Sequence, residues 1–146
     1  MKKDNLKNKF YILRHGKTAY QKDKKSLTYP KRQINSVPLA EEGRRQVERR
    51  AKEIKELNIT KIYASDFLRT RQTAKIVKEG IKFDKEIIFN QKLRDLSLGS
   101  WHGKDKKEFY DKFPVNKEFF IQGCPGGESW NQVEERMIKV LQDIDK

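Results

Sequence analysis

Three short apolar, β-prone runs, with helical spacing after each, constrain this chain more than any other feature. Phe10-Tyr11-Ile12-Leu13 comes first, preceded by charged residues, and it reads as a buried strand. Thr60-Lys61-Ile62-Tyr63-Ala64 is the second strand and Glu86-Ile87-Ile88-Phe89 the third. Between the first two, a helix opens at Pro38-Leu39-Ala40-Glu41-Glu42-Gly43 and reaches about Leu57. Its Val47, Ala51 and Ile54 share one face while arginines and glutamates fill the other. After the second run, Ser65 or Asp66 is placed to cap a helix through Thr73 to Lys78, with Gly80 as its stop signal. Strands alternating with helices imply an α/β domain with a mainly parallel sheet.

The rest of the chain fits that plan. The stretch Gln21 to Asn35 holds Pro30 and little periodicity, and reads as a loop. A glycine-containing loop at Leu98-Gly99-Ser100-Trp101-His102-Gly103 leads into a helical stretch around Lys106 to Phe113. A turn at Gly123-Cys124-Pro125-Gly126-Gly127 precedes a last helix, where Ser129 and Gln132 have capping-box spacing. Val133, Met137, Val140, Leu141 and Ile144 form its apolar stripe, a core face. A length of 146 residues supports one domain with one core.

Charged residues make up 38% of the chain and the formal net charge is +13, a balance that favours acidic partners such as phosphorylated metabolites. The lysines are spread out and many sit beside acids, as in Glu53-Ile54-Lys55-Glu56, so an ordinary solvated surface explains them as well as a nucleic-acid footprint does. No zinc-ligand set, RNA-binding aromatic signature or continuous basic helix is present, and nucleic acid is not the expected partner. The basic N-terminus lacks the apolar stretch of a signal peptide, and no run is apolar and long enough to span a bilayer. A cytoplasmic protein with no membrane partner is the expectation. The lone cysteine, Cys124, excludes an intrachain disulfide and has no neighbouring base, so an inert thiol is expected.

Two strand ends carry reactive side chains. In open α/β sheets ligands bind beyond the carboxyl ends of the strands. The first strand ends in Arg14-His15-Gly16, and the second runs into a helix whose first turn carries Arg69. A histidine there, with two planar guanidinium forks nearby, suits a phosphate group. Each signal is weak alone, since Arg69 could be a helix-surface charge and His15 a bland surface histidine.

Order and spacing give the pieces weight. Leu13-Arg14-His15-Gly16-Lys17-Thr18 resembles the Leu-x-Arg-His-Gly-x-Thr signature of the histidine phosphatase (phosphoglycerate mutase-like) superfamily, branch 1. Pro38-Leu39 with Gly43 is similar to that family's Pro-Leu-Thr-x-x-Gly helix start. The stretch from Ala64 to Ala74, with Arg69, Gln72 and Thr73, resembles its second-arginine helix. Leu93-Arg94-Asp95 with Gly99, Trp101 and Gly103 resembles the acid-bearing loop, and Pro125-Gly126-Gly127-Glu128-Ser129 the Gly-Glu-Ser turn. Five blocks in the family's order span nearly the whole chain.

The resemblance implies a three-layer α/β/α phosphoglycerate mutase-like fold, phosphorylated small-molecule substrates, and no metal or cofactor. It implies hydrolysis of a phosphomonoester through a phosphohistidine on His15. Arg14 and Arg69 would hold the phosphoryl oxygens, with Gly16 and Gln21 as further phosphate contacts, and Asp95 would protonate the leaving oxygen. Two alternatives stay open: phosphoglycerate mutase-type transfer, and an inactive domain that binds a phospholigand or nucleic acid. The short interval Lys104 to Gln122 lacks the long insertion of the cofactor-dependent mutases and favours a phosphatase. Oligomeric state is not readable.

Several positions depart from the family pattern. Asp95 stands where glutamate is usual, and a loop carboxylate paired with Arg94 or a lysine is the plain alternative. Gln21 stands for asparagine, Lys17 for a common glutamate, and Thr18 is as suited to fastening the loop as to touching ligand. The family's second catalytic histidine follows the last helix on a further strand, whereas His15 and His102 are the two histidines here. His102 lies where the family has glutamate and is not expected to replace it. The sequence is therefore expected to be a single domain, incomplete at its C-terminus, with a gap in the sheet and low turnover. Trp101, Trp130 and Glu128 are expected to be structural.

Overall fold

The computed structural model describes residues 6–23, 26–114 and 117–146. Its regular elements are helices α1 (Ala19–Lys22), α2 (Glu41–Glu53), α3 (Leu68–Gly80), α4 (Lys106–Lys112), α5 (Lys117–Gln122) and α6 (Trp130–Ile144), with strands β1 (Tyr63–Ala64) and β2 (Ile88–Phe89). The strands pair in parallel, Tyr63 opposite Ile88 and Ala64 opposite Phe89, with α3 as the crossover between them. A small parallel sheet with helices is the α/β plan expected from the sequence.

The expected strand Phe10–Leu13 is corrected. These residues are extended without a ladder partner among the described residues, and Ile12 is 95% exposed, with Tyr11 and Leu13 also exposed. A buried strand needs neighbours on its flanks to take its N–H and C=O groups. Without them, apolar composition alone does not bury the segment. The chain just beyond it is fastened: Ala40 N–H donates to Lys17 O and Ala19 N–H to Pro38 O. Those two bonds lay residues 17–19 along the start of α2.

Two apolar clusters form the core. In the first, Leu39, Val47 and Val77 pack with Ile54, Ile62, Ile76 and Ile81, joining α2, α3 and β1. Two glycines allow this closeness. A Cβ on Gly43 would sit 2.0 Å from Lys17 O, and one on Gly80 would sit 2.6 Å from Ala51 Cβ. The helix ends at Gly80, as its reading as a stop signal expects, and the same glycine allows the helix–helix approach. The helix starts at Leu68 after Phe67, which makes no side-chain cap. Ser65 instead hydrogen-bonds Thr70, and Asp66 pairs with Arg94.

In the second cluster, Leu96, Phe109, Phe119, Cys124 and Val133 pack with Leu98, Trp101, Phe113 and Met137, joining the 91–101 segment to α4, α5 and α6. Ser129 and Gln132 make the expected capping box at α6. Val133 and Val140 are buried and Met137 packs on the cluster, as the stripe predicts. Helix α5 was not foreseen in the sequence. Residues 28 and 29 are tied to residues 101–104: Thr28 N–H donates to Lys104 O, Thr28 Oγ1 to Trp101 O, and Gly103 N–H to Tyr29 O. No helix among the described residues is long and apolar enough to cross a membrane.

Candidate active site

The site lies where the two clusters meet. His15 and Arg69 belong to the first, His15 through its neighbour Gly16, which packs against Gly43 and Val47. Asp95 belongs to the second, through its buried neighbour Leu96. Arg69 Nη2 stands 3.6 Å from Asp95 Oδ2 and joins them.

His15 is half-buried, and its Nδ1 lies 2.8 Å from Gly16 O. A carbonyl oxygen can only accept, so this bond assigns the ring proton to Nδ1 and leaves the lone pair on Nε2. No described residue makes a hydrogen bond to Nε2. Burial pushes the imidazole pKa below its usual value. The Gly16 carbonyl opposes this, and the Arg69 and Arg14 charges add to it. The ring is therefore neutral near pH 7, the form in which a nitrogen can act as nucleophile.

Arg69 is 1% exposed, held by contacts that the sequence did not announce. Its guanidinium lies between two aromatic faces, 4.5 Å from the Tyr29 ring centre and 4.8 Å from that of Phe67. Nη1 donates to Gln33 Oε1 at 2.8 Å, and Nε, also buried, has no hydrogen-bond partner among the described residues. Burial lowers its pKa from the ordinary arginine value, but a guanidinium stays charged across the range in which proteins work. One amide oxygen, two ring faces and a carboxylate at 3.6 Å are thin compensation for a buried cation. That is the environment in which an anion is bound strongly.

Asp95 is not paired with Arg94. Arg94 makes a two-point bond to Asp66, Nε–Oδ1 and Nη2–Oδ2 both 2.6 Å, and its hydrogen bonds and charge depress the Asp66 pKa. The Asp95 carboxylate is 58% exposed, takes the Leu96 N–H at 2.8 Å, and faces Arg69. Its main chain is held from α6: Arg136 donates to Asp95 O and Lys92 O while its other contacts lie on Glu128. Glu128 also accepts from Ser97 N–H, so it is a strut of this loop.

The remaining sequence-predicted residues fall as follows. Arg14 stands beside His15, close enough for its charge to act on the ring. Gly16 N–H points at Thr73 Oγ1, 3.4 Å away. The Gln21 carbonyl closes a capping box with Thr18 at α1, which leaves its amide nitrogen as the half outside the cap. Thr18 is fully buried and bonds Tyr29 Oη, so it fastens the loop. Lys17 pairs with Glu42 at the periphery. His102 accepts the Leu98 N–H on Nε2 and donates from Nδ1 to Tyr29 O, tying two loops together with both nitrogens used. Burial raises the Cys124 pKa, and its thiol points to Leu98 O. Among the described residues no cluster of three or more His, Cys, Asp or Glu is placed to hold a metal ion.

Comparison with known proteins identifies the family. The family model of the Histidine phosphatase superfamily (branch 1) matches residues 10–146. The chain belongs to that superfamily. It is 32% identical over 136 residues to a probable phosphoglycerate mutase GpmB of Cronobacter sakazakii, covering 90% of this chain and 60% of the relative. A GpmB of Escherichia coli O1:K1 is 30% identical over 137 residues, with the same coverage. The chain thus spans about 60% of the length of these relatives. Among solved structures, the mycobacterial glucosyl-3-phosphoglycerate phosphatase Rv2419c superimposes with a TM-score of 0.73 at 24% identity, over 89% of this chain and 60% of that one. Phosphoglycerate mutase from Bacillus anthracis gives 0.73 at 20% identity, over 90% and 64%. The fold is phosphoglycerate mutase-like.

Proposed function

We propose that this chain hydrolyses phosphomonoesters through a phosphohistidine on His15. The observation that carries the reading is the Nδ1–Gly16 O bond, which leaves a neutral ring with its Nε2 lone pair unengaged beside Arg69. In the first step Nε2 attacks phosphorus, the ester P–O bond breaks with its electrons going to oxygen, and Asp95 delivers the proton that makes the alcohol. Arg14 and Arg69 hold the non-bridging oxygens, with the Gln21 amide as a further donor. In the second step water attacks the phosphohistidine, Asp95 takes its proton, and the P–N electrons return to Nε2. The Rv2419c phosphatase has been crystallised with VO3, which suits a pocket for phosphoryl-like anions in the superfamily.

Mutase-type transfer draws support from the names of the GpmB relatives. The interval between the acid loop and the Gly-Glu-Ser turn, filled here by α4 and α5, is short, which supports the phosphatase.

The test is a rapid-mixing experiment with p-nitrophenyl phosphate at high protein concentration. Release of at least one equivalent of nitrophenolate per chain, abolished in His15→Ala, is expected, with a burst where hydrolysis of the phosphohistidine is the slower step. Release that stays below one equivalent, or that survives in His15→Ala, contradicts the proposal.

A further inference from the structure

We infer that Tyr29 is a positioning residue of this site: its ring holds the Arg69 guanidinium in place and leaves that cation's N–H edge open to an anion. This rests on the phosphatase reading and deepens it by naming a residue that acts through Arg69. Tyr29 lies outside all five motif blocks, between the Arg-His-Gly segment and Pro38-Leu39. Its main chain is fixed on one side of the site and its side chain works on the other. Tyr29 O accepts from His102 Nδ1 at 3.0 Å and from Gly103 N–H at 3.2 Å, both on the loop that follows Asp95. Ser26 and Thr28 extend this seam through backbone bonds with Lys106 and Lys104. From that anchorage the side chain reaches back. Its Oη lies 3.2 Å from Thr18 Oγ1, in the turn after His15, and its ring centre 4.5 Å from Arg69 Cζ. One residue thus touches the nucleophile's loop, the buried cation and the loop beyond the acid.

How a buried cation is compensated decides whether it can still bind. A carboxylate in close contact would neutralise Arg69 and occupy its N–H donors. A ring face attracts the guanidinium through its π-electrons and leaves the donors in the guanidinium plane unoccupied. Gln33 Oε1 is the one hydrogen-bond acceptor of Arg69 among the described residues, and the buried Nε has none. With so few bonds to orient the guanidinium, the contacts on its faces orient it, and these come from Tyr29 and Phe67. Phe67 also lies 5.2 Å from Arg94, whereas the cation contact described for Tyr29 is with Arg69. A guanidinium already held in position loses less freedom when an anion arrives, and binds it more tightly for that reason.

Tyr29→Met and Tyr29→Phe separate the ring from the hydroxyl, since methionine fills the space without a π face. Calorimetry with inorganic phosphate on the 146-residue chain should show about fivefold weaker binding in Tyr29→Met and a change of less than about twofold in Tyr29→Phe. Unfolding midpoints should divide differently, because Tyr29→Phe loses the Thr18 bond and some stability while it keeps its affinity. Nitrogen-15 NMR adds a signature of the ring contact itself. The Arg69 Nε–H proton, near two rings and without an acceptor, should resonate upfield in wild type and Tyr29→Phe, and move part of the way back in Tyr29→Met. Equal affinity in all three proteins, equal weakening in both variants, or an unshifted Arg69 proton in wild type overturns the inference and leaves the phosphatase reading standing. Should Tyr29→Met not fold, Tyr29→Phe and the wild-type Arg69 signal decide by the same outcomes. Failure of wild type to bind inorganic phosphate at all removes both.

Discussion

Arg94 and Asp95 are neighbours in sequence, yet their side chains serve different partners: Arg94 closes on Asp66 with two 2.6 Å bonds, and Asp95 turns to Arg69. Asp66 thereby keeps a nearby cation away from the carboxylate assigned to proton transfer. The same pair couples the start of α3 to the loop that carries Asp95, so it acts beside the Arg69–Asp95 contact in linking the two apolar clusters.

Asp66→Asn should therefore cost about 1 kcal/mol of stability, the scale of a well-formed but partly solvated pair. Because the folded Asp66 pKa is depressed, its contribution is full above the unfolded value and disappears as pH falls through the lower folded value. Urea unfolding from about pH 6 down to about pH 3 should show wild type losing this increment on acidification, with the Asp66→Asn variant lacking it throughout. Equal acid sensitivity of the two proteins would contradict the assignment.

The His15 ring gives a second pH signature. Its folded pKa lies below 6.5, so as pH falls the unfolded state takes up a proton first, and stability should decrease below about pH 6.5. Nitrogen-15 NMR should place the His15 midpoint below that of a free histidine, with the proton of the neutral form on Nδ1. A midpoint at or above the free value, or an Nε2–H tautomer, would be inconsistent with the buried ring described above.

Gly43 packs directly against the Lys17 backbone, with no room for a Cβ between them. Gly43→Ala would push a methyl group against Lys17 O and should destabilise the protein by about 3 kcal/mol, the upper range of overpacking. Gly126→Ala, where the added Cβ meets open space but φ is +68°, should cost only about 1 kcal/mol, as expected for a left-handed position. Denaturant midpoints of the two variants should differ clearly. Similar midpoints would contradict the tight 16–18 to 40–43 contact.

Asp145 closes the chain on itself. Its carboxylate accepts the Lys7 and Asn8 amide protons, each at 2.8 Å, and anchors the segment that leads to His15. Asp145→Ala should raise hydrogen-exchange rates at those two amides by about tenfold or more while α2 and α3 keep their protection. Unchanged exchange at Lys7 and Asn8 would show that the anchor is not formed.

What the sequence disclosed follows from how local each signal is. Helix α6 was legible because its capping box and apolar stripe are both short-range patterns, and the five motif blocks led directly to His15, Arg69 and Asp95. The surroundings of Arg69 were not legible. Tyr29 and Gln33 come from a stretch without periodicity, and their placement depends on bonds to residues 101–104 far along the chain. Phe10–Leu13 misled for a related reason: β-prone composition marks a segment able to pair, while pairing itself depends on a neighbour. Gly80 shows that a glycine at a helix end can answer to packing as well as to termination, since the contact it permits lies on α2.

The proposed hydrolysis passes through a covalent bond between phosphorus and one ring nitrogen of His15. The 146-residue chain mixed with p-nitrophenyl phosphate, quenched in alkali, digested and analysed by tandem mass spectrometry shows whether that bond forms. One phosphoryl group is expected on the peptide containing His15, stable in base, labile in acid and absent from His15→Ala. Phosphoryl groups found on another residue, or on none while substrate is consumed, would contradict it.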